Sequence, residues 1–143
     1  MLQASDTEVL DRFLGQWLLA QSDPNDPLAV DGKTLRGARR KDASQVHLLS
    51  AFLHQQGVTV AQIEVGQKTN EIPEIKRLLD PLDIAGRVVT ADAMHTQQET
   101  ARYLVEEKGA HYLFTVKDNQ KMLREDIVAL GNDDFSPSAL PVR

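Results

Sequence analysis

The segment from Gly86 to Thr96, GRVVTADAMHT, constrains the fold of this chain more than any other stretch. Its apolar residues Val88 and Val89 lead through Thr90 and Ala91 to one acid, Asp92, and the polar residues at 97–99 then favour the start of a helix. Ligands of open α/β sheets gather at the carboxyl ends of the strands. We therefore expect Asp92 to lie at a sheet edge where chemistry takes place, beside a second functional group.

Composition narrows the class of protein. The 143 residues, 41% apolar and 26% charged, fit one soluble globular domain. No apolar run approaches the ~20 residues of a membrane span, and the N-terminus lacks the pattern of a signal peptide. Without cysteine there is neither a disulfide framework nor a thiolate metal site. We expect a cytoplasmic protein with no membrane partner.

Positive charge is concentrated in one short stretch of an acidic chain. The net charge of −5 argues against a highly basic, non-specific nucleic-acid binder. The basic residues of that stretch are Lys33, Arg36, Arg39, Arg40 and Lys41. Such a patch can bind phosphates even on an acidic protein, but charge alone slightly favours a solvated hairpin tip.

Apolar periodicity and turn residues predict a leading helix, three strands, and then alternating helices and strands. We expect Phe13 and Trp17 of the leading helix, and Ala101 and 103–105 of a later one, to face the core. The predicted elements are a helix at 6–21, strands at 28–31, 46–53 and 58–65, a helix beginning near 70, a strand at 88–91, a helix at 97–108, a strand at 110–116 and a helix at 120–130. The predicted division is a leading helix and linker at 1–22, one domain at 23–131 and a tail at 132–143.

This order of elements predicts an α/β fold with a ribonuclease H-like mixed five-stranded sheet and flanking helices. In that layout the first and fourth strands are neighbours, which brings Asp31 close to Asp92. Two adjacent carboxylates repel each other unless a cation neutralises them, and their oxygens suit Mg²⁺ or Mn²⁺. The alternative is that either aspartate simply caps a turn or a helix.

Four motifs carry a resemblance to a known family. They are VDGKTLRGA (30–38), QKTNEIP (67–73), VVTADAMHTQ (88–97) and YLFTVKDNQ (112–120). In this order they resemble the catalytic domain of ISAs1-family insertion-sequence transposases, which include the H-repeat-associated proteins. The resemblance runs from about Asp23 to Leu130. It implies a DDE recombinase that cleaves and joins transposon-end DNA at a site with two Mg²⁺ or Mn²⁺ ions, with Asp31 and Asp92 as its first two acids.

The chain departs from the family's pattern at the third acid. In the family this acid is a Glu on a helix beyond the fifth strand, in a C-terminal region that this sequence lacks. Glu125 and Asp126 lie on the last predicted helix, but not in a motif that resembles the one around that Glu. We therefore expect a truncated, C-terminally incomplete domain that binds metal weakly and is inactive or very weakly active.

Five cations are candidates for contacts with DNA phosphates, although exposed lysine and arginine side chains are often only solvated. They are Lys33, Arg36, Arg39, Arg40 and Lys117. A different functional class is a non-catalytic remnant or regulator that binds DNA or the full-length transposase, or associates with itself. A phosphoacceptor signalling domain, with Asp92 and Lys117 after strands, is a third alternative, which the predicted antiparallel start and Asp31 disfavour.

Overall fold

A computed structural model describes residues 4–39, 45–66, 71–92 and 97–131. The elements in chain order are α1 (Ala4–Gln21), β1 (Leu28–Arg39), β2 (Gln45–Leu53), β3 (Val58–Val65), α2 (Glu71–Leu79), β4 (Val88–Ala91), α3 (Gln98–Arg102), which continues as a π-helical turn (Tyr103–Glu107), β5 (His111–Phe114), a 3₁₀ turn (Asp118–Gln120) and α4 (Lys121–Gly131). Within these ranges, no helix combines the length and the apolar character needed to cross a membrane.

The five strands form one mixed sheet in the order β3-β2-β1-β4-β5. β1 pairs antiparallel with β2, and β2 pairs antiparallel with β3. β4 lies parallel to β1 on one side and to β5 on the other. This is the ribonuclease H-like layout, and it confirms the predicted fold class.

One face of the sheet carries the hydrophobic core. Because successive residues of a strand point to opposite faces, Val30, Ala51 and Val89 contribute to one buried cluster. Helices α1 and α2 and the π-helical turn add residues to the same cluster, among them Leu19, Ile75, Leu78, Tyr103 and Leu104. The opposite face is more open, and Leu113 of β5 is 66% exposed there.

A buried arginine ties the end of α1 to the residue that precedes β4. The Arg87 guanidinium donates to the backbone oxygens of Asp23 (2.8 Å), Asp26 (3.2 Å) and Leu19 (3.0 Å). It also donates to Ser22 Oγ at 2.7 Å. A buried charge is costly unless its donors are satisfied, and these four acceptors satisfy Arg87. The start of β4 is thereby fixed to the turn that leads into β1.

The Asp26 carboxylate, which is fully buried, anchors the turn between β2 and β3. Its two oxygens accept hydrogen bonds from the backbone N–H groups of Gln55 (2.9 Å) and Gln56 (3.4 Å). The same turn contains Gly57 at φ +65°, a left-handed conformation that glycine adopts without steric cost. The β2–β3 hairpin and the start of β1 are therefore held together by one side chain.

Helix α1 approaches β3 so closely that it leaves no room for a side chain at Gly15. A Cβ built at this position would lie 2.0 Å from the backbone oxygen of Val60. Leu18 and Leu19, on the same side of α1, pack on the core. The prediction that Phe13 and Trp17 lie in the core was wrong, because the helix turns them away from the sheet and leaves them 64% and 54% exposed.

The helix after β4 also differs from its predicted packing at one residue. Tyr103 and Leu104 are buried as predicted, but Val105 is 50% exposed. Residues two apart on a helical turn lie on nearly opposite sides of its axis, so Val105 cannot share the buried side of Tyr103. The last helix, α4, also exposes apolar residues, namely Met122, Leu123, Ile127, Val128 and Leu130.

Replacing Gly15 by alanine tests the close approach of α1 to β3. Alanine favours an isolated helix over glycine by about 1 kcal/mol, but the clash with Val60 opposes that gain. We expect Gly15→Ala to lower the free energy of unfolding by about 1–3 kcal/mol in urea titrations followed by circular dichroism. Asp11→Ala, at an exposed side chain of the same helix, is the control and should be neutral or stabilising. Equal stability of the two variants would contradict this packing.

Tyr103 makes the free energy of unfolding depend on pH in the alkaline range. Burial, reinforced by its 2.6 Å hydrogen bond to Asp80 Oδ1, raises the pKa of Tyr103 above 10.0. In the unfolded chain the phenol ionises near pH 10, whereas in the folded chain it remains protonated. Its contribution is therefore fully present below pH 10 and is lost as the pH rises through the alkaline range.

We expect the wild type to lose stability between about pH 9 and 11 more steeply than Tyr103→Phe, by up to about 1.4 kcal/mol per pH unit. Urea unfolding at several pH values measures this slope. Tyr112→Phe, at a half-exposed ring, is the control and should follow the wild type. Parallel curves for the wild type and Tyr103→Phe would argue against the raised pKa.

Candidate active site

The parallel pairing of β1 with β4 brings the two predicted acids together. In this register Val30 lies opposite Ala91, so Asp31 and Asp92 are the next residues along the two neighbouring strands. Adjacent strands lie about 4.7–4.9 Å apart. Val30 and Ala91 are buried on the core face, and by alternation the two aspartates project from the opposite, open face.

Both carboxylates line an open cleft of about 540 Å³ on that face. Asp31 is partly buried and Asp92 is exposed. The other lining residues are Ala29, Val30, Phe52, His54, Thr90, Ala91, Leu113, Phe114 and Thr115. The cleft is therefore mainly apolar, with the acids as its charged residues.

Lys117 contacts one acid of the pair, Asp92. Its Nζ lies 3.2 Å from Asp92 Oδ1, in an ion pair whose side chains are 62% and 54% exposed. The backbone leads it there, because β5 runs parallel to β4 and the Thr115 N–H donates to Ala91 O at 3.2 Å just beyond the last strand pair.

The other predicted DNA contacts are distributed differently. Lys33 lies two residues beyond Asp31 on β1, on the same face by alternation, and its side chain is exposed. Arg36 and Arg39 lie on the last part of β1, where only the backbone is described. Arg40 lies outside the described residues. A DNA interface built from these four side chains remains a prediction.

The donor set of the cleft fits a hard divalent cation. Two carboxylates side by side supply the oxygen ligands that Mg²⁺ and Mn²⁺ prefer, and the ammonium of Lys117 already lies against one of them. In the part of the chain that the structure describes, no group of three or more His, Cys, Asp or Glu side chains could hold a metal ion. Glu125 on α4 does not join this site in the described residues; its Oε1 lies 3.9 Å from Lys121 Nζ. The described residues therefore supply two acidic ligands.

His54 is a cleft residue that the sequence did not single out. Its Nε2 lies 3.3 Å from Thr90 Oγ1, and the histidine tautomer decides which atom donates. His54 follows the last residue of β2, two positions after Phe52, and thus shares the open face. The spacing of two residues between Phe52 and His54 could have placed both on one face of the sheet. To use that spacing, however, one must know which face lacks the core.

The antiparallel strand pairs of the sheet argue against a phosphoacceptor signalling domain. The doubly wound fold of phosphoacceptor domains has an all-parallel sheet, whereas β1, β2 and β3 pair antiparallel here. The ion pair of Lys117 with Asp92 alone therefore does not make this site a phosphoacceptor site.

Comparison with known proteins agrees with this geometry. The family described as "Transposase DDE domain" matches residues 23–140. "H repeat-associated putative transposase YhhI" of Escherichia coli K12 is 41% identical over 108 residues, which are 73% of this chain and 28% of that protein. "H repeat-associated putative transposase YbfD" of the same strain is 39% identical over 115 residues, 76% of this chain and 44% of that protein. The chain thus spans less than half the length of these relatives.

A solved structure supports the fold. The piggyBac transposase in a synaptic complex with hairpin DNA superposes with a TM-score of 0.55 at 20% identity, over 80% of this chain and 27% of that one. At this identity the similarity concerns the fold alone. The family match extends over most of the chain and includes both aspartates of the cleft, and so the chain belongs to the DDE transposase family.

Proposed function

We propose that this chain carries the first two acids of a metal-dependent DNA cleavage and joining centre, in a transposase of the ISAs1 group. One observation supports this most strongly, namely the β1–β4 register that makes Asp31 and Asp92 neighbours in an open cleft. The neighbouring acids explain why a family with this fold would use a divalent cation, since a cation relieves their mutual repulsion.

Asp31 and Asp92 would hold Mg²⁺ or Mn²⁺ through their carboxylate oxygens. In a two-ion site such cations activate water or a DNA 3′-hydroxyl and stabilise the leaving oxygen of the phosphate. Lys33, on the same face as the acids, and Lys117, beside Asp92, would neutralise phosphate oxygens. The described residues supply only two acidic ligands, so we propose that they hold the cation weakly and that strand cleavage is absent or very slow.

DNA is the proposed partner, specifically the ends of a transposon. The piggyBac structure contains hairpin DNA, and the shared fold supports the same class of ligand for this chain. Since the chain spans 28–44% of its relatives YhhI and YbfD, transposition itself is proposed for the whole protein. We place the protein with its DNA in the cytoplasm. We keep residues 23–131 as the proposed catalytic unit, with 1–22 leading into it and 132–143 as a tail.

A non-catalytic role is the second candidate, and the exposed side of α1 favours it. Val9, Phe13 and Trp17 recur at helical spacing, and all three are more than half exposed. Exposed apolar stripes of this kind mark protein contacts. A chain that binds full-length transposase or a second copy through α1, without cutting DNA, would act as a regulator.

Titration with Mn²⁺ tests the metal site. We expect Asp31→Asn and Asp92→Asn each to weaken Mn²⁺ binding by about tenfold or more, because each removes one of two charged ligands. Asp11→Asn removes the same charge from an exposed side chain of α1, away from the cleft, and should bind as the wild type does. Electron paramagnetic resonance of free Mn²⁺ measures the affinity. Equal binding by all four proteins would remove the metal-site proposal.

Fluorescence anisotropy with transposon-end DNA tests the phosphate contacts. We expect Lys33→Met to weaken binding and to lower the slope of log K against log salt by about one, since one phosphate contact is lost. Arg102→Met removes a positive charge from an exposed side chain of α3, where it pairs with Glu106, and should leave the slope unchanged. A Lys33→Met slope equal to that of the wild type would exclude Lys33 from the interface.

A further inference from the structure

We propose that Lys117 is an exchangeable counter-ion of the acid pair, which neutralises Asp92 until a divalent cation binds and then contacts a DNA phosphate. The inference rests on the proposed function and adds to it a defined metal-free state. It assigns Lys117 two successive partners, a carboxylate and a phosphate, in place of a general DNA contact.

The backbone holds Lys117 beside the acid from both directions. On its N-terminal side, β5 continues the sheet past Phe114, where the Thr115 N–H still donates to Ala91 O at 3.2 Å. On its C-terminal side, a 3₁₀ turn begins at once, with Gln120 N–H donating to Lys117 O at 3.0 Å. The position of the main chain is thereby fixed, while the long side chain can rotate about its four-carbon stem.

The strength of the ion pair suits an exchange. Two adjacent carboxylates repel each other, and the ammonium 3.2 Å from one of them offsets part of that repulsion. Since both side chains are more than half exposed, water screens the pair, and it is weak. A divalent cation carries twice the charge of the ammonium and coordinates the carboxylate oxygens directly, so it can displace Lys117 from Asp92.

The displaced ammonium remains next to the cleft. A compact, strongly hydrated charge with three donors is suited to a phosphate oxygen, and charge-assisted hydrogen bonds of this kind are the strong ones. Arg124 lies only seven residues further on but pairs with Asp118 at 2.9 Å. It therefore provides a matched control, because it has the same charge on the same segment and a different carboxylate partner.

Mn²⁺ binding by the full chain tests the exchange without any activity assay. We expect Lys117→Met to bind Mn²⁺ about 1.5- to 5-fold more tightly than the wild type, because the competing ammonium is gone. Arg124→Met should bind as the wild type does. Paramagnetic broadening of the Asp92 amide in ¹⁵N spectra reports the site even when binding is weak. Unchanged or weaker Mn²⁺ binding by Lys117→Met would overturn the inference.

DNA affinity tests the second half of the exchange. We expect Lys117→Met to weaken binding of transposon-end DNA several-fold with Mg²⁺ present, and clearly less in EDTA, where Asp92 already occupies the ammonium. Equal losses in both conditions would contradict the exchange. The two proposals fail differently: the metal site fails if Asp31→Asn retains wild-type Mn²⁺ binding, or if neither the wild type nor Lys117→Met broadens at Asp92. The exchange alone fails if Asp31→Asn loses binding while Lys117→Met matches Arg124→Met.

Discussion

The site depends on the parallel register of β1 and β4. In this register three residue pairs lie opposite each other, namely Leu28 with Val89, Ala29 with Thr90 and Val30 with Ala91. A shift of one residue in this register would move every side chain of β4 to the other face and would turn Asp92 into the core. Arg87 opposes such a shift, since it binds the turn before β1 while it occupies the position before β4. The two strands therefore begin at one shared anchor.

The sheet and its acid pair could be predicted from the sequence because their signals are local and periodic. Alternating strand residues, short turns and a change to helical spacing define the order of elements, and that order leaves few topologies. Asp31 and Asp92 follow from it, since each ends a run of apolar residues on strands that the topology makes neighbours. The family motifs pointed to the same two residues.

The sequence did not indicate which side of a helix or strand packs on the core. Phe13 and Trp17 have the spacing of core residues, yet the contact of Gly15 with Val60 rotates them into solvent. Such an approach depends on two backbones that are distant in sequence. His54 was missed for a related reason, because its place in the cleft requires knowing which face of β2 carries the core. A local pattern reports what can be buried, but not which side of it meets the rest of the chain.

The arrangement of charges in the cleft links this fold to the proposed binding of a cation. The sheet forces two carboxylates together on an open face, and one weak ion pair with Lys117 offsets part of their repulsion. A stronger, buried pair would hold the acids in place but would compete with any cation. An exposed lysine leaves the site charged, open and ready to exchange one cation for another.

Anomalous diffraction from a crystal of the chain soaked in Mn²⁺ tests whether Asp31 and Asp92 form a metal site. Data collected at the manganese absorption edge locate the ion independently of any activity. We expect a peak in the cleft, bonded to carboxylate oxygens of both Asp31 and Asp92, with the Lys117 ammonium moved away from Asp92. A peak bonded to neither aspartate, or no peak in the cleft at saturating Mn²⁺, would contradict the proposed metal site.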